Sequence, residues 1–429
     1  MTQQLAIVGD RVERILGNEA TNARPLKFMF APMSYMLSHI CRCVEIGKVL
    51  RDRGHQVVFA VEDPERPGWR SNVAAKSGFP WVHVQEQDYG YIFNRLETKG
   101  FFFVGLDLLN LGHWTPLDKI FQGYIDAIDQ EKPDLICGDA SIAASNAAYV
   151  RGIPAAGITN AYAGKFVSWP SITYPAIEIW DKLYLERFRR PIYAKYNKKP
   201  INSVKLFKSI PMISPDLDGL YDYPKDWNWK MVGPILSEPP VHMPEWFDEL
   251  QDGQTNIYFS LGTTGMLDPL LRRVYADFAK LPYRFVVTTG GQATQETIAM
   301  APPNFRIAEY APGRAVLKQC KAIIFHGGNS TMYQALEAGV PMIALWNQLE
   351  QKLTGAMIVR RGMGLCHQAR KTSSKWLVDA LNEVMSNPKY REAVQRYSSA
   401  VASATGARSA ADVLEEVARS GQPAGHNLS

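Results

Sequence analysis

The chain has 429 residues, 46% of them hydrophobic, and a formal net charge of +5. That length is enough for two ordinary domains, each with its own core. No apolar run approaches the ~20 residues that span a bilayer, no segment is low in complexity, and no repeat recurs at a fixed period, so a helical membrane protein, a disordered chain and a solenoid are excluded.

In chain order, "MTQQLAIVGDRVERILGNEA" opens the sequence. Its acids lie among its apolar residues, so residues 1–25 read as an amphipathic helix or loose leader, not as a signal peptide. The chain is accordingly expected to be cytoplasmic. "LKFMFAP" is a strand ending in proline. From Met36 to Arg53, apolar residues recur at helical spacing: Leu37, Ile40, Val44, Ile46, Val49 and Leu50. "GHQVVFAVE" is the next strand. "PDLICGD" is a buried strand that stops at Asp139, and "GIPAAGIT" is another after a helix.

The proline-rich stretch "GPILSEPPVHMP", Gly233 to Pro244, reads as an interdomain linker. Beyond it the plan repeats. "TNIYFSLGTTG" runs into glycines, a helix around Leu270 to Lys280 leads to "YRFVVTTGG", and "FRIAEYAP", "KAIIFHGG" and "PMIALW" follow. Strands alternating with helices predict α/β domains with mostly parallel sheets. The expected divisions are 26–232, the linker 233–244, 245–408, and a final segment 409–429 whose helix crosses back onto the first domain.

The five cysteines are Cys41, Cys43, Cys137, Cys320 and Cys366. Cys41 and Cys43 are too close for a usual zinc pair and no second pair exists, so reduced structural thiols are expected. Residues 181–208 carry nine Lys or Arg against Asp181 and Glu186, with aromatic residues interleaved. This reads as a solvated loop and helix face, with contact to an anionic membrane surface as the alternative. No partner nucleic acid is expected. A monomer and a homodimer are equally compatible with the sequence.

Three strand ends in the second half can hold an anion. Ser260-Leu-Gly-Thr263 offers small residues and hydroxyls. Tyr310-Ala311-Pro312 forms a turn. "FHGGNSTMYQALEAGVP" ends a strand at His326, clears space with Gly327 and Gly328, and starts a helix at Asn329, Ser330 and Thr331. Helix N-termini carry partial positive charge, and His326 beside this one can donate to a phosphate oxygen. There is no GxGxxG and no Walker motif, so neither a nicotinamide dinucleotide nor a P-loop nucleotide site is indicated. Asp216-Leu-Asp218 reads as a structural turn, not as a metal-binding pair.

The order and spacing of these pieces resemble the GT-B glycosyltransferases, in particular the inverting nucleotide-sugar-dependent group of plant secondary-metabolite and bacterial macrolide enzymes. "HGGNSTMYQALEAGVPMIALWNQLEQ" is similar to that group's donor-site signature, and the likeness runs from about Leu26 to Ala418. The resemblance implies two Rossmann-like, doubly wound parallel-sheet domains facing across a cleft. It implies a UDP- or dTDP-linked sugar as co-substrate, with no cofactor and no metal ion. His326, Gly328, Asn329, Ser330 and Thr331 would hold the diphosphate, supported by Ser260 and Thr263. Tyr310, Ala311 and Pro312 would face the base. Gln334 stands where the group has the glutamate that grips the ribose. Glu350 and Gln351 stand for its Asp-Gln pair, which holds hydroxyls of a hexose.

The resemblance also places a general base in the first half. His39, sixteen residues before His55, occupies the group's catalytic position, although Ser38 and Arg42 replace its usual glycine and proline. A neutral imidazole can take a hydroxyl proton near pH 7. It needs a carboxylate behind it, and Asp139 ends the appropriate strand. The other histidines read as structural or exposed. The acceptor is expected to be small and largely apolar, lined by aromatic residues such as Tyr89, Phe102, Trp114 and Phe166. Attack opposite the diphosphate would turn an α-linked donor into a β-glycoside. A membrane-surface enzyme with a lipid acceptor and a non-catalytic nucleotide-sugar binder are the rival readings.

Overall fold

The computed structural model describes residues 24–67, 70–86, 117–162, 186–223, 225, 227–238, 240–262 and 266–428. Continuous apolar runs, rather than alternating ones, form strands buried on both faces. The first sheet is built from β1 (Lys27–Pro32), β2 (Gln56–Val61), β3 (Trp81–His83), β4 (Leu135–Asp139), β5 (Ala155–Ile158), β6 (Met212–Ser214) and β7 (Trp229–Met231), in spatial order 3-2-1-4-5-6-7. The second holds β8 (Asn256–Ser260), β9 (Arg284–Thr288), β10 (Phe305–Ala308), β11 (Cys320–Phe325), β12 (Met342–Trp346) and β13 (Gly364–Gln368), in order 10-9-8-11-12-13. All pairings are parallel. Strands β3, β6, β7 and β13 were not expected from the sequence.

Strand order reverses between β1 and β4 in one sheet and between β8 and β11 in the other. Ligands of open parallel sheets bind beyond the C-terminal ends of the strands at such reversals. Asp139 is the last residue of β4, opposite Pro32 of β1. Ser260 is the last residue of β8, opposite Phe325 of β11, and His326 comes next.

Six helices matter to the site and its frame: α1 (Leu37–Asp52), α2 (Ile142–Arg151), α3 (Glu186–Lys195), α4 (Asn329–Glu337), α5 (Leu349–Arg360) and α6 (Gly406–Ser420). The last packs on the first sheet's side of the molecule. Ala410, Ala411, Leu414 and Ala418 join one core with Ile40 and Val44 of α1 and Phe28 of β1. Full burial of Leu414 contributes about 1.5–3 kcal/mol. Close approach is possible because α6 starts at glycine: a Cβ on Gly406 would lie 2.3 Å from the Pro234 carbonyl oxygen.

All five cysteines are free; four are buried and Cys366 is half-buried. Burial pushes the Cys43 and Cys137 thiols well up, which suits inert packing groups. In the basic stretch, Tyr193 is fully buried, and Tyr196 and Phe207 pack against the same core. Arg190, Lys195, Lys199 and Lys205 remain at the surface. Among the described residues no helix is long and apolar enough to cross a membrane. Tyr89, Phe102, Trp114, Phe166 and Thr263, with most of the leader and residues 181–185, lie outside the described residues.

Candidate active site

His39 sits in the first turn of α1, directly after β1. Its Nδ1 lies 2.6 Å from Oδ1 of Asp139. Asp139 is fully buried. Burial alone would raise its carboxyl, but the Arg42 guanidinium and then His39 outweigh it and hold Asp139 down at about 2. An ionised carboxylate accepts, so His39 donates from Nδ1. The Nε2 lone pair is then left for an incoming proton.

Arg42 is one helical turn beyond His39, on the same face of α1. Its Nε and Nη2 donate to the two oxygens of Asp139. Its Nη1 donates to Asn160 Oδ1 at 2.9 Å. Arg42 stands where the resemblance expected proline, so a buried cation was missed. The signal was present as an arginine three residues after the histidine, on a helix face that otherwise reads as core.

Across the gap, His326 follows β11 and packs among glycines. A Cβ on Gly328 would lie 2.2 Å from His326 Nε2, and one on Gly262 would lie 3.1 Å from its Cε1. Gly327 has φ +86°, and a Cβ there would meet the Gln351 carbonyl oxygen at 2.9 Å. Burial pushes the His326 imidazole down to about 4, against a smaller opposing contribution from the Ser260 backbone. It is therefore neutral at pH 7. Its Nδ1 is enclosed without a hydrogen-bond partner among the described residues. Helix α4 begins there, with Gly328 as N-cap, no capping side chain and no acid in its first turn. First-turn N–H groups lack intrahelical partners, so this end presents donors and partial positive charge.

Residues of both halves line one cavity of about 110 Å³. His39, Arg42, Asn160 and Tyr162 come from the first side, and His326, Gly328, Asn329, Ser330, Glu350 and Gln351 from the second. Burial pushes the Glu350 carboxyl up to about 7, against its own backbone hydrogen bond. Ser237, from the expected linker, closes part of the wall.

Other expected donor residues stand off this wall. Ser260 Oγ accepts from Thr288 Oγ1 at 2.8 Å. Gln334 donates to the Ser237 carbonyl at 3.1 Å, which commits one of its two amide N–H groups to the linker. Tyr310 reaches the Gly290 carbonyl at 3.4 Å, Ala311 is buried, and Pro312 caps the Gly313–Lys318 helix. Thr331 is also absent from the cavity wall. Gln351 does line it, yet its amide oxygen accepts from the Asn347 and Gln348 backbones, closing a capping box on α5. Only its amide N–H groups remain for a sugar hydroxyl.

Asp216, read from sequence as a turn residue, bridges the two halves. It is fully buried and accepts from Ala161 N at 2.6 Å, Ser214 Oγ at 3.0 Å, Asn329 Nδ2 at 2.7 Å and the Tyr333 hydroxyl at 3.0 Å. The Asn329 side chain is thereby latched to the first half. Among the described residues no three His, Cys, Asp or Glu side chains converge as a metal site.

Residues 272–417 match the C-terminal domain of erythromycin biosynthesis protein CIII-like proteins. A PGL/p-HBAD biosynthesis rhamnosyltransferase of Mycobacterium bovis is 27% identical over 403 residues, covering 88% of this chain and 85% of that one. Glycosyltransferase VinC in complex with dTDP superposes with a TM-score of 0.70 at 17% identity, over 92% of this chain and all of that one. Spinosyn rhamnosyltransferase SpnG complexed with spinosyn aglycone superposes at 0.65 and 17% identity, over 90% and 99% of the two chains. With two facing parallel sheets and these superpositions, the chain has the GT-B fold, and it is similar in sequence to glycosyltransferases.

Proposed function

We propose that the chain is an inverting enzyme that moves a hexosyl group from a nucleoside-diphosphate sugar to a hydroxyl of a small, largely apolar acceptor. One observation carries the reading: His39, backed by Asp139, and His326, beside the α4 N-terminus, line the same cavity from opposite halves. In this reading His39 Nε2 takes the acceptor's proton as the oxygen attacks the anomeric carbon. The bond from that carbon to the diphosphate breaks on the opposite face. The released negative charge meets the α4 N–H groups and the neutral His326 ring. Asp139 remains ionised and steadies the imidazolium through Nδ1. Glu350 and the Gln351 amide N–H groups face the sugar hydroxyls.

Deoxythymidine diphosphate is the favoured carrier. Gln334 offers no carboxylate for a pair of ribose hydroxyls, and its amide nitrogen already donates to the Ser237 carbonyl. VinC, similar in fold, is described with dTDP. A thermal-shift panel of dTDP, UDP and their hexoses tests the reading, because a ligand selective for the native state raises the melting point. The expected result is a rise with dTDP and a dTDP-hexose. Transfer to a phenolic or macrolide hydroxyl should then fall by about 10²–10⁴ in His39→Ala. No rise with any nucleotide, or an unchanged transfer rate in His39→Ala, contradicts it.

A further inference from the structure

The interior face of α1 carries a guanidinium that the transfer chemistry above does not use. Arg42 is 7% exposed, and Asp139 and Asn160 are buried beside it. Three of its nitrogens are engaged. Nε and Nη2 grip both oxygens of Asp139, and Nη1 donates to Asn160 Oδ1 at 2.9 Å. Nη2 also lies 3.1 Å from His39 Nδ1. The same Asp139 oxygen, Oδ1, thus receives N–H groups from both His39 and Arg42. Asn160 is itself held from behind, with its Nδ2 3.4 Å from Asp216 Oδ2.

A side-on fork fixes the plane of the carboxylate, so Oδ1 stays aimed at His39. Rotating Asp139 would let His39 turn its lone pair toward Arg42 Nη2 and place its proton on Nε2, where it could not act as a base. We propose that Arg42 is a positioning residue for the proton transfer: its fork holds Asp139 so that His39 keeps its Nε2 lone pair toward the cavity.

This rests on the glycosyl-transfer reading above. The groups around the His39–Asp139–Arg42 cluster are Cys43 of α1 and Cys137 of β4 beside Asp139, Tyr162, Asp216 beyond Asn160, and His326 and Glu350 across the cavity.

The test is kcat and donor KM for wild type, Arg42→Met, Arg42→Lys and His39→Ala, with folding checked by circular dichroism. Arg42→Met should lower kcat about tenfold or more and leave the donor KM unchanged. Arg42→Lys keeps the charge without the fork, and its kcat should stay low. If Arg42→Met does not fold, Arg42→Lys alone still decides, since wild-type kcat in it overturns the role of the fork. An inactive His39→Ala with wild-type kcat in folded Arg42→Met overturns this proposal alone. Wild-type transfer in His39→Ala overturns the base assignment and this proposal with it.

Discussion

Replacing Asp139 with Asn separates the electrostatics of the site from its shape. Asp139 is fully buried and accepts from two nitrogens of Arg42 and from His39. Its carboxyl is held at about 2 in the folded chain, against ~3.9 when unfolded. The depression is worth about 2–3 kcal/mol, at somewhat over 1 kcal/mol per tenfold. Its sign follows from direction. A depressed carboxyl stabilises the fold fully above the unfolded value, and the contribution is lost as pH falls toward about 2. The substitution also leaves the Arg42 cation buried without its counter-charge, a change that costs about 3–5 kcal/mol when a buried pair is broken. Asparagine keeps one acceptor oxygen, so a loss of about 3 kcal/mol is expected at pH 7. Urea unfolding followed by fluorescence measures it, and the gap to wild type should narrow at pH 3. Transfer should fall about a thousandfold or more, because an amide does not enforce the productive tautomer. A variant within about 0.5 kcal/mol of wild type, equally at both pH values, refutes the reasoning; surface substitutions commonly do no more than that.

Two other substitutions probe the donor side. In Gly328→Ala, a methyl group 2.2 Å from His326 Nε2 must push the ring aside. Calorimetric titration should show weaker dTDP binding with an unchanged circular dichroism spectrum. Glu350, raised to about 7, carries a burial penalty that sets in as pH climbs through the unfolded value and is complete above about 7. Glu350→Gln should therefore unfold at higher urea than wild type at pH 8 and at the same urea at pH 4, while its donor KM rises.

The long strands and the glycine-rich loop before α4 were legible because their signals are local. "KAIIFHGG" and "PDLICGD" end apolar runs at a residue that differs sharply from those before it, and parallel topology makes such ends functional. His39 became readable through its spacing from His55. The short strands β3, β6 and β7 were not readable, since three residues carry no periodicity and pairing alone makes them strands. Arg42 and Asp216 were missed for a related reason. A buried charge declares itself through its partners, and those lie 97 residues away for Arg42 and 113 for the Asn329 that binds Asp216. Capping of α5 takes the Gln351 amide oxygen and leaves its N–H groups free, a division of roles that the motif alone does not show.

The central claim is that the α4 tip and His326 hold the diphosphate of a nucleotide. Calorimetric titration of dTDP and of UDP into wild type, His326→Ala and His39→Ala tests it most directly. Wild type should bind dTDP, His326→Ala should lose about tenfold or more in affinity, as for removal of a hydrogen bond to a charged group, and His39→Ala should bind as wild type does. Absence of binding by either nucleotide, or equal affinity in His326→Ala, contradicts the account.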